Sequence, residues 1–326
     1  MTFGDLTRAI LFDKDNYKML YEGVRMLHDF YAGITGITAV NNNDQNIYLP
    51  TGKAISPGQA ANCLLDLRRT AVFLRGIYKA IIRLQQEFPG RQIEVLYAGC
   101  GPYASLLTPL TTMFVPQQVR FHMMDVQPES LVAVGKLYGH LNASEYLGSM
   151  TCADATTYQM TQDFDLVIVE AMQSALIREP QVAITLNLLP QMKEKAIFIP
   201  QEIRVTAQLL DREMEMNGYL AEAAAPVRIK LGDVYRIGQF NYDPPQPVLI
   251  DVPASVGTHN ELHLLTELTV FEDEVLEVNN CGITLPYKVA AIEPYLGKQV
   301  RFEYEIGETP GFKWEFGMGV AATEKV

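Results

Sequence analysis

Apolar positions along this chain change their spacing twice, and the changes divide it into three regions. Over residues 5–32 they recur at helical intervals, with Leu6, Ile10, Leu11, Tyr17, Leu20, Val24, Leu27 and Tyr31 near one face, which predicts a helix. Residues 59–88 keep that period and stop at Pro89-Gly90, predicting a long second helix. Between the two, residues 33–58 hold Gly33, Gly36, Gly52, Gly58, Pro50, Pro57 and the polar run Asn41-Asn42-Asn43-Asp44. That stretch reads as a long loop, and long loops in ordered domains often act as lids.

From residue 91 short apolar runs replace the long periodic ones. Strands are predicted over 92–97, 119–124, 150–155, 164–169 and 196–199, alternating with helices over 103–113, 128–141 and 181–192. Such alternation implies parallel βαβ units in a doubly wound sheet. After Pro200 the runs follow one another without long helices, over 203–210, 227–231, 248–252, 262–271, 275–278 and 300–306. Gly and Pro turns punctuate them, which predicts an antiparallel sheet or barrel. The fold class expected is α/β. A Rossmann-like, mostly parallel sheet over 91–200 would follow an N-terminal helical lid over 1–90. An antiparallel, barrel-like β domain over 201–326 would complete it.

Composition narrows the functional classes. Apolar residues make up 48% of the 326, and 38 acidic against 26 basic residues give a net charge of −12. The apolar share excludes a disordered chain. The acidic balance argues against a nucleic-acid partner, which needs clustered Lys and Arg, and suits a cationic one. No apolar run approaches the ~18 residues of a membrane helix. Asp5, Asp13 and Asp15 are wrong for a secretory leader, so a cytoplasmic protein is expected. Cys63, Cys100, Cys152 and Cys281 stand far apart without a CxxC pair, so neither disulfides nor a structural metal site are expected. His259 and His263 are four apart, but in a predicted strand that spacing means ~13 Å, too far for one metal ion.

The chemistry begins at the first βα turn. Gly99-x-Gly101-x-x-Ala104 follows a predicted strand and opens a predicted helix. Small residues there permit a tight turn and close approach of a ligand to the backbone. Asp125 ends the next strand, 21 residues after Ala104, the distance at which a carboxylate can accept from ribose hydroxyls. Asp154-Ala155 lies at the third strand edge, where a carboxylate can accept from an adenine amino group. Pro102 removes an N–H that a pyrophosphate could use.

Together Gly99-Cys100-Gly101, Asp125 and Asp154 resemble the motifs of class I methyltransferases that use S-adenosylmethionine. The resemblance implies that Ala98, Gly99, Cys100 and Gly101 receive the methionine part of that co-substrate. It assigns ribose to Asp125 with Val126, and adenine to Asp154 with Ala155. Two further runs are similar to protein arginine methyltransferases. One is Glu170-x-Met172-x-x-x-Leu176-x-x-Glu179, which looks like that family's two-glutamate loop. It implies a catalytic pair, Glu170 and Glu179, converging on a planar cation. The other is Leu64-x-Asp66-x-x-Arg69-Thr70-x-x-Phe73, which resembles the helix that precedes the sheet. It implies that Arg69 reaches the co-substrate's carboxylate and that Glu170 also borders the co-substrate.

Departures widen the acceptor class. Phe73 stands where the family has tyrosine, Thr258-His259-Asn260 lacks the tryptophan of the family's T-H-W loop, and Trp314 is the single tryptophan. The span 211–256 is short for the family's dimerisation arm, although a homodimer fits the resemblance. The expectation is therefore an S-adenosylmethionine-dependent, metal-free methyltransferase for a small cationic or amine-bearing substrate: an amine, a guanidino compound, an amino-acid-like molecule or a peptide. The same residues also fit transfer or cyclisation of the aminocarboxypropyl chain, releasing methylthioadenosine, or a non-catalytic binding protein on the same fold.

Overall fold

The chain begins with two helices where the periodicity predicts one. The computed structural model describes residues 2–13, 16–38, 45–215 and 227–317. Its first helices are α1 (Phe3–Phe12) and α2 (Tyr17–Thr35). Asn16 interrupts the run because its Oδ1 accepts from Met19 N at 3.1 Å and so opens a new helix. Inside the expected loop lies a hairpin, β1 (Ile47–Leu49) and β2 (Gly52–Ala54); the polar run 41–44 lies outside the described residues. The helix expected over 59–88 is also divided, into α3 (Pro57–Cys63) and α4 (Leu67–Glu87). Ser56 Oγ accepts from Gln59 N at 3.3 Å, and Asp66 Oδ1 from Arg69 N at 3.4 Å. The second cap places Arg69 in the first turn of α4.

The parallel sheet follows. Its strands are β3 (Ile93–Ala98), β4 (Val119–Asp125), β5 (Leu147–Cys152), β6 (Leu166–Val169) and β7 (Ile197–Ile199), with α5 (Pro128–His140) and α6 (Gln181–Leu188) among the connections. The spatial order is β5-β4-β3-β6-β7, and each of the four pairings is parallel. The chain winds outward from β3 to β5, then returns to build β6 and β7 on the other side. The direction of winding therefore reverses between β3 and β6, where doubly wound sheets bind ligands at the carboxyl ends of their strands.

One predicted element does not form. Residues 103–113 are turns and a short 3-10 helix (Thr108–Thr112), not an α-helix. Pro102 and Pro109 lack the N–H that an α-helix needs, and Ala104 sits at φ +41°, outside the α region. The Thr108 hydroxyl instead donates to Tyr103 O at 2.6 Å. The glycine turn thus has no α-helix N-terminus behind it.

Antiparallel strands complete the chain: β8 (Glu202–Leu210), β9 (Ile229–Gly238), β10 (Val248–Asp251), β11 (Glu261–Phe271), β12 (Glu274–Leu276), β13 (Tyr287–Ala291), β14 (Gln299–Glu305) and β15 (Gly311–Phe316). One sheet runs β12-β11-β8-β9 with β13 also on β11, and another runs β10-β14-β15. The sequence pattern does not predict β13 or β15, which are short and lie between Gly- and Pro-rich turns. Helix α4 ties this region to the rest. A Cβ at Gly76 would fall 2.6 Å from the Val270 side chain, so a glycine there lets α4 approach β11. Beside that contact Arg75 Nε meets Glu274 Oε2 at 3.0 Å, both side chains buried.

Candidate functional site

A cavity of about 450 Å³ opens at the carboxyl ends of β3, β4 and β6. Its floor is the turn after β3, Gly99-Cys100-Gly101, with φ of +75° at Gly99 and +62° at Gly101. Both values are in the left-handed region that glycine enters without steric cost. The N–H groups of Gly99 and Cys100 donate to Met124 O at 2.9 and 3.0 Å. Gly101 N donates to Asp125 Oδ2 at 2.8 Å, and Gln127 N to Asp125 Oδ1 at 2.8 Å. The turn is therefore built around the Asp125 carboxylate. Burial pushes that carboxyl from 3.8 up to about 6, against the backbone N–H groups of Gln127, Gly101 and Val126, which favour the charged form. Each oxygen keeps a lone pair for a further donor. Asp154, half-buried on the same wall, accepts from Thr156 N at 2.8 Å.

Glu170 and Glu179 stand at the two ends of the loop after β6, 8% and 7% exposed. Arg69 Nη2 pairs with Glu170 Oε2. Glu170 Oε1 is buried with no hydrogen-bond partner among the described residues. Glu179 Oε1 accepts from Gln173 Nε2 at 2.8 Å. Burial raises the Glu179 carboxyl, with Gln173, Arg69 and Lys53 acting against it. The loop between the acids is strained, with φ near +55° at Ala175 and Leu176 and +66° at Arg178. Such a conformation persists only where its surroundings fix it. Ala175 N donates to Thr266 Oγ1 at 2.7 Å, the Tyr304 hydroxyl to Leu176 O at 2.7 Å, and Arg178 N to Pro310 O at 2.7 Å. The antiparallel region thus sets the position of the acid loop.

A roof comes from the N-terminal hairpin and α3. Lys53 N donates to Arg178 O at 2.8 Å, and Thr51 Oγ1 meets Thr156 Oγ1 at 3.3 Å. Gln127 Nε2 donates to Gln45 O at 2.8 Å and to Ile55 O at 3.3 Å, holding both ends of the hairpin. Gly52 has φ +140°, and a Cβ there would lie 3.0 Å from Arg178 O and Pro180 N. On the remaining side Gly282 and Ile283 line the cavity, and Gly282 N donates to Asp66 Oδ2 at 2.8 Å.

Most of the residues singled out in the sequence meet here. Arg69, Gly99, Cys100, Gly101, Asp125, Val126, Asp154, Ala155, Glu170 and Glu179 all line the one cavity. Ala98 does not: it is fully buried at the end of β3, packed with Met124 and Val169 beneath the turn. Lys53, Gln173 and the 282–283 wall were not anticipated. The run Leu49-Pro50-Thr51-Gly52 carries a turn signal that marks the hairpin, whereas nothing in the local sequence around Gly282 points to a cavity. His259 lies elsewhere, its ring nitrogens facing Val256 O at 3.0 Å and Val227 O at 2.9 Å. His122, without a partner pattern in sequence, sits between Glu94 Oε2 at 2.6 Å and Ser149 Oγ at 2.9 Å, bridging β3, β4 and β5. Gly148 leaves room for its ring, since a Cβ there would fall 2.3 Å from it. Among the described residues no group of three or more His, Cys, Asp or Glu is arranged for a metal ion, and no helix is long and apolar enough to cross a membrane.

No protein-family model and no curated protein matches the chain. Among solved structures it is similar to Trypanosoma brucei PRMT1 in an enzyme–prozyme heterotetrameric complex with AdoHcy. The likeness covers 81% of this chain and 94% of that one, with a TM-score of 0.53 at 13% sequence identity. The two chains share a fold. At this identity the likeness bears on architecture alone: a five-stranded parallel sheet with helices, followed by antiparallel sheets.

Proposed function

We propose that this protein is an S-adenosylmethionine-dependent methyltransferase acting on a nitrogen of a small amine, a guanidino compound, an amino-acid-like molecule or a peptide. The observation that carries this reading is Glu170 Oε1, a buried carboxylate oxygen without a hydrogen-bond partner among the described residues, in the cavity that also contains the glycine turn. An unmatched buried acceptor is costly unless a ligand supplies its donor. A donor-bearing, cationic nitrogen supplies both the hydrogen and the charge.

The residues present also fit the co-substrate. Asp125 keeps a lone pair on each oxygen for ribose hydroxyls, and Asp154 offers a carboxylate to an adenine amino group. Arg69 has further N–H groups beyond the one that meets Glu170, and these suit a carboxylate. When bound, S-adenosylmethionine supplies a methyl group on a positive sulfur. The chain's part is chiefly to position and to desolvate. Glu170 Oε1 would orient the nitrogen, and holding two reactants in line can contribute about 7–11 kcal/mol. Glu179, its carboxyl raised by burial, is suited to take the proton that the nitrogen gives up. The hairpin roof would keep water out.

The test is a pair of measurements on one variant. Glu170→Gln should lower turnover of a methylated amine or guanidine by about 100-fold or more, while S-adenosylhomocysteine still binds by calorimetry. Unchanged turnover would remove Glu170 from the reaction.

A further inference from the structure

Two groups in the cavity wall stand without a hydrogen-bond partner among the described residues. One is Glu170 Oε1, already described. The other is the ammonium group of Lys53 on β2. The backbone there is fixed, because Lys53 N donates to Arg178 O at 2.8 Å and Gly52 packs against the Arg178–Pro180 backbone. The side chain is half-buried and lines the cavity, yet its ammonium makes no hydrogen bond or ion pair among the described residues. Glu179 is its electrostatic neighbour, but Glu179 Oε1 is engaged by Gln173. The wall's other cation, Arg69, is matched by Glu170.

We infer that Lys53 is an anion subsite for the acceptor, which makes the acceptor an ampholyte carrying a carboxylate as well as the nitrogen to be methylated. The inference rests on the methyl-transfer reading. The nitrogen docks at Glu170 Oε1 and the carboxylate at the Lys53 ammonium. A hydrogen bond between charged groups is stronger than one between neutral groups, so a carboxylate suits this ammonium. Two cations then serve two different carboxylates. Arg69, in the first turn of α4, pairs with Glu170 and has Tyr97 nearby, and it is the cation assigned here to the co-substrate. Lys53 is tied to the acid loop and faces the acceptor. A cavity of about 450 Å³ is in the range that encloses one drug-sized ligand, so it leaves room beside the co-substrate only for a small acceptor.

The experiment compares γ-guanidinobutyrate with propylguanidine, and γ-aminobutyrate with propylamine, on the full chain saturated with S-adenosylhomocysteine. Calorimetry reads binding without turnover. The wild-type protein should prefer the carboxylate-bearing member by about tenfold or more, the size of one charge-assisted hydrogen bond. Lys53→Met should bring that ratio close to one, and Lys53→Arg should keep most of it. Matching thermal midpoints establish that each variant is folded. Equal wild-type affinity within both pairs overturns the inference. So does a Lys53→Met protein that loses S-adenosylhomocysteine affinity while keeping the ratio, since Lys53 then serves the co-substrate. If the Lys53-dependent preference is present but S-adenosylmethionine methylates neither pair, the methyl-transfer reading falls and the anion subsite stands.

Discussion

The N–H of Ala175 donates to the Thr266 hydroxyl oxygen at 2.7 Å, joining residues 91 positions apart in the chain. Thr266 is fully buried on β11, and Ala175 lies midway between the two acids at φ +55°. A side chain of the antiparallel region thus holds the loop that presents the acids. Thr266→Val keeps the volume and removes the acceptor, leaving a buried N–H unmatched at about 1–3 kcal/mol. The account predicts a lower thermal midpoint and a fall in kcat/KM, although Thr266 does not line the cavity. Stability loss with unchanged kcat/KM would show that the loop keeps its shape without this anchor.

Gly52 provides a second test, from the roof. A Cβ at this position would lie 3.0 Å from Arg178 O and Pro180 N, on a residue at φ +140°. Gly52→Ala therefore pushes the hairpin away from the acid loop. The expected result is a raised KM for the acceptor with little loss of global stability, since a surface hairpin carries few core contacts. Steady-state kinetics with both substrates varied will check this, and an unchanged KM would mean that the roof does not shape the site.

How far the sequence revealed this arrangement depended on how local each signal was. The strand after residue 91, the glycine turn, Asp125 and the two-glutamate run were legible because each is a short pattern whose neighbours in sequence are also its neighbours in space. Two helix breaks were missed for a local reason as well: Asn16 and Asp66 cap new helices inside runs whose apolar period continues through them. The helix expected after the glycine turn failed because Pro102, Pro109 and the positive φ of Ala104 outweigh a favourable pattern. Thr266, Tyr304 and Gly282 could not be read at all. Each acts across a tertiary contact, and nothing near them in the chain marks it.

Asp125 predicts a pH dependence. Its carboxyl is raised from 3.8 to about 6 by burial. Between those values the folded chain holds a proton that the unfolded chain has released, so this group's contribution to stability falls as pH rises toward 6. Ligand binding runs the other way, because ribose hydroxyls donate to the ionised form. S-adenosylhomocysteine affinity should therefore weaken as pH drops below about 6. Asp125→Asn should flatten that step and weaken binding at neutral pH. Calorimetric titrations on both sides of this pH read the outcome, and a flat wild-type profile would contradict the assignment.

Glu179 should be separable from Glu170. Glu170 shares its charge with Arg69, and breaking a buried pair by removing one partner costs about 3–5 kcal/mol. Glu179 has Gln173 as its hydrogen-bond partner instead. Glu170→Gln should thus lower the thermal midpoint as well as turnover. Glu179→Gln should lower turnover and shift its pH profile with a smaller stability loss. Thermal melts paired with rate–pH profiles distinguish the two, and identical behaviour would refute separate roles.

The most direct test of the central claim is the identity of the nucleoside released when the protein is incubated with S-adenosylmethionine and small guanidino or amine acceptors, read by mass spectrometry. The account predicts S-adenosylhomocysteine together with an acceptor heavier by one methyl group in place of a hydrogen, and loss of both products in Glu170→Gln. Release of methylthioadenosine, or no nucleoside product with any acceptor, would contradict it.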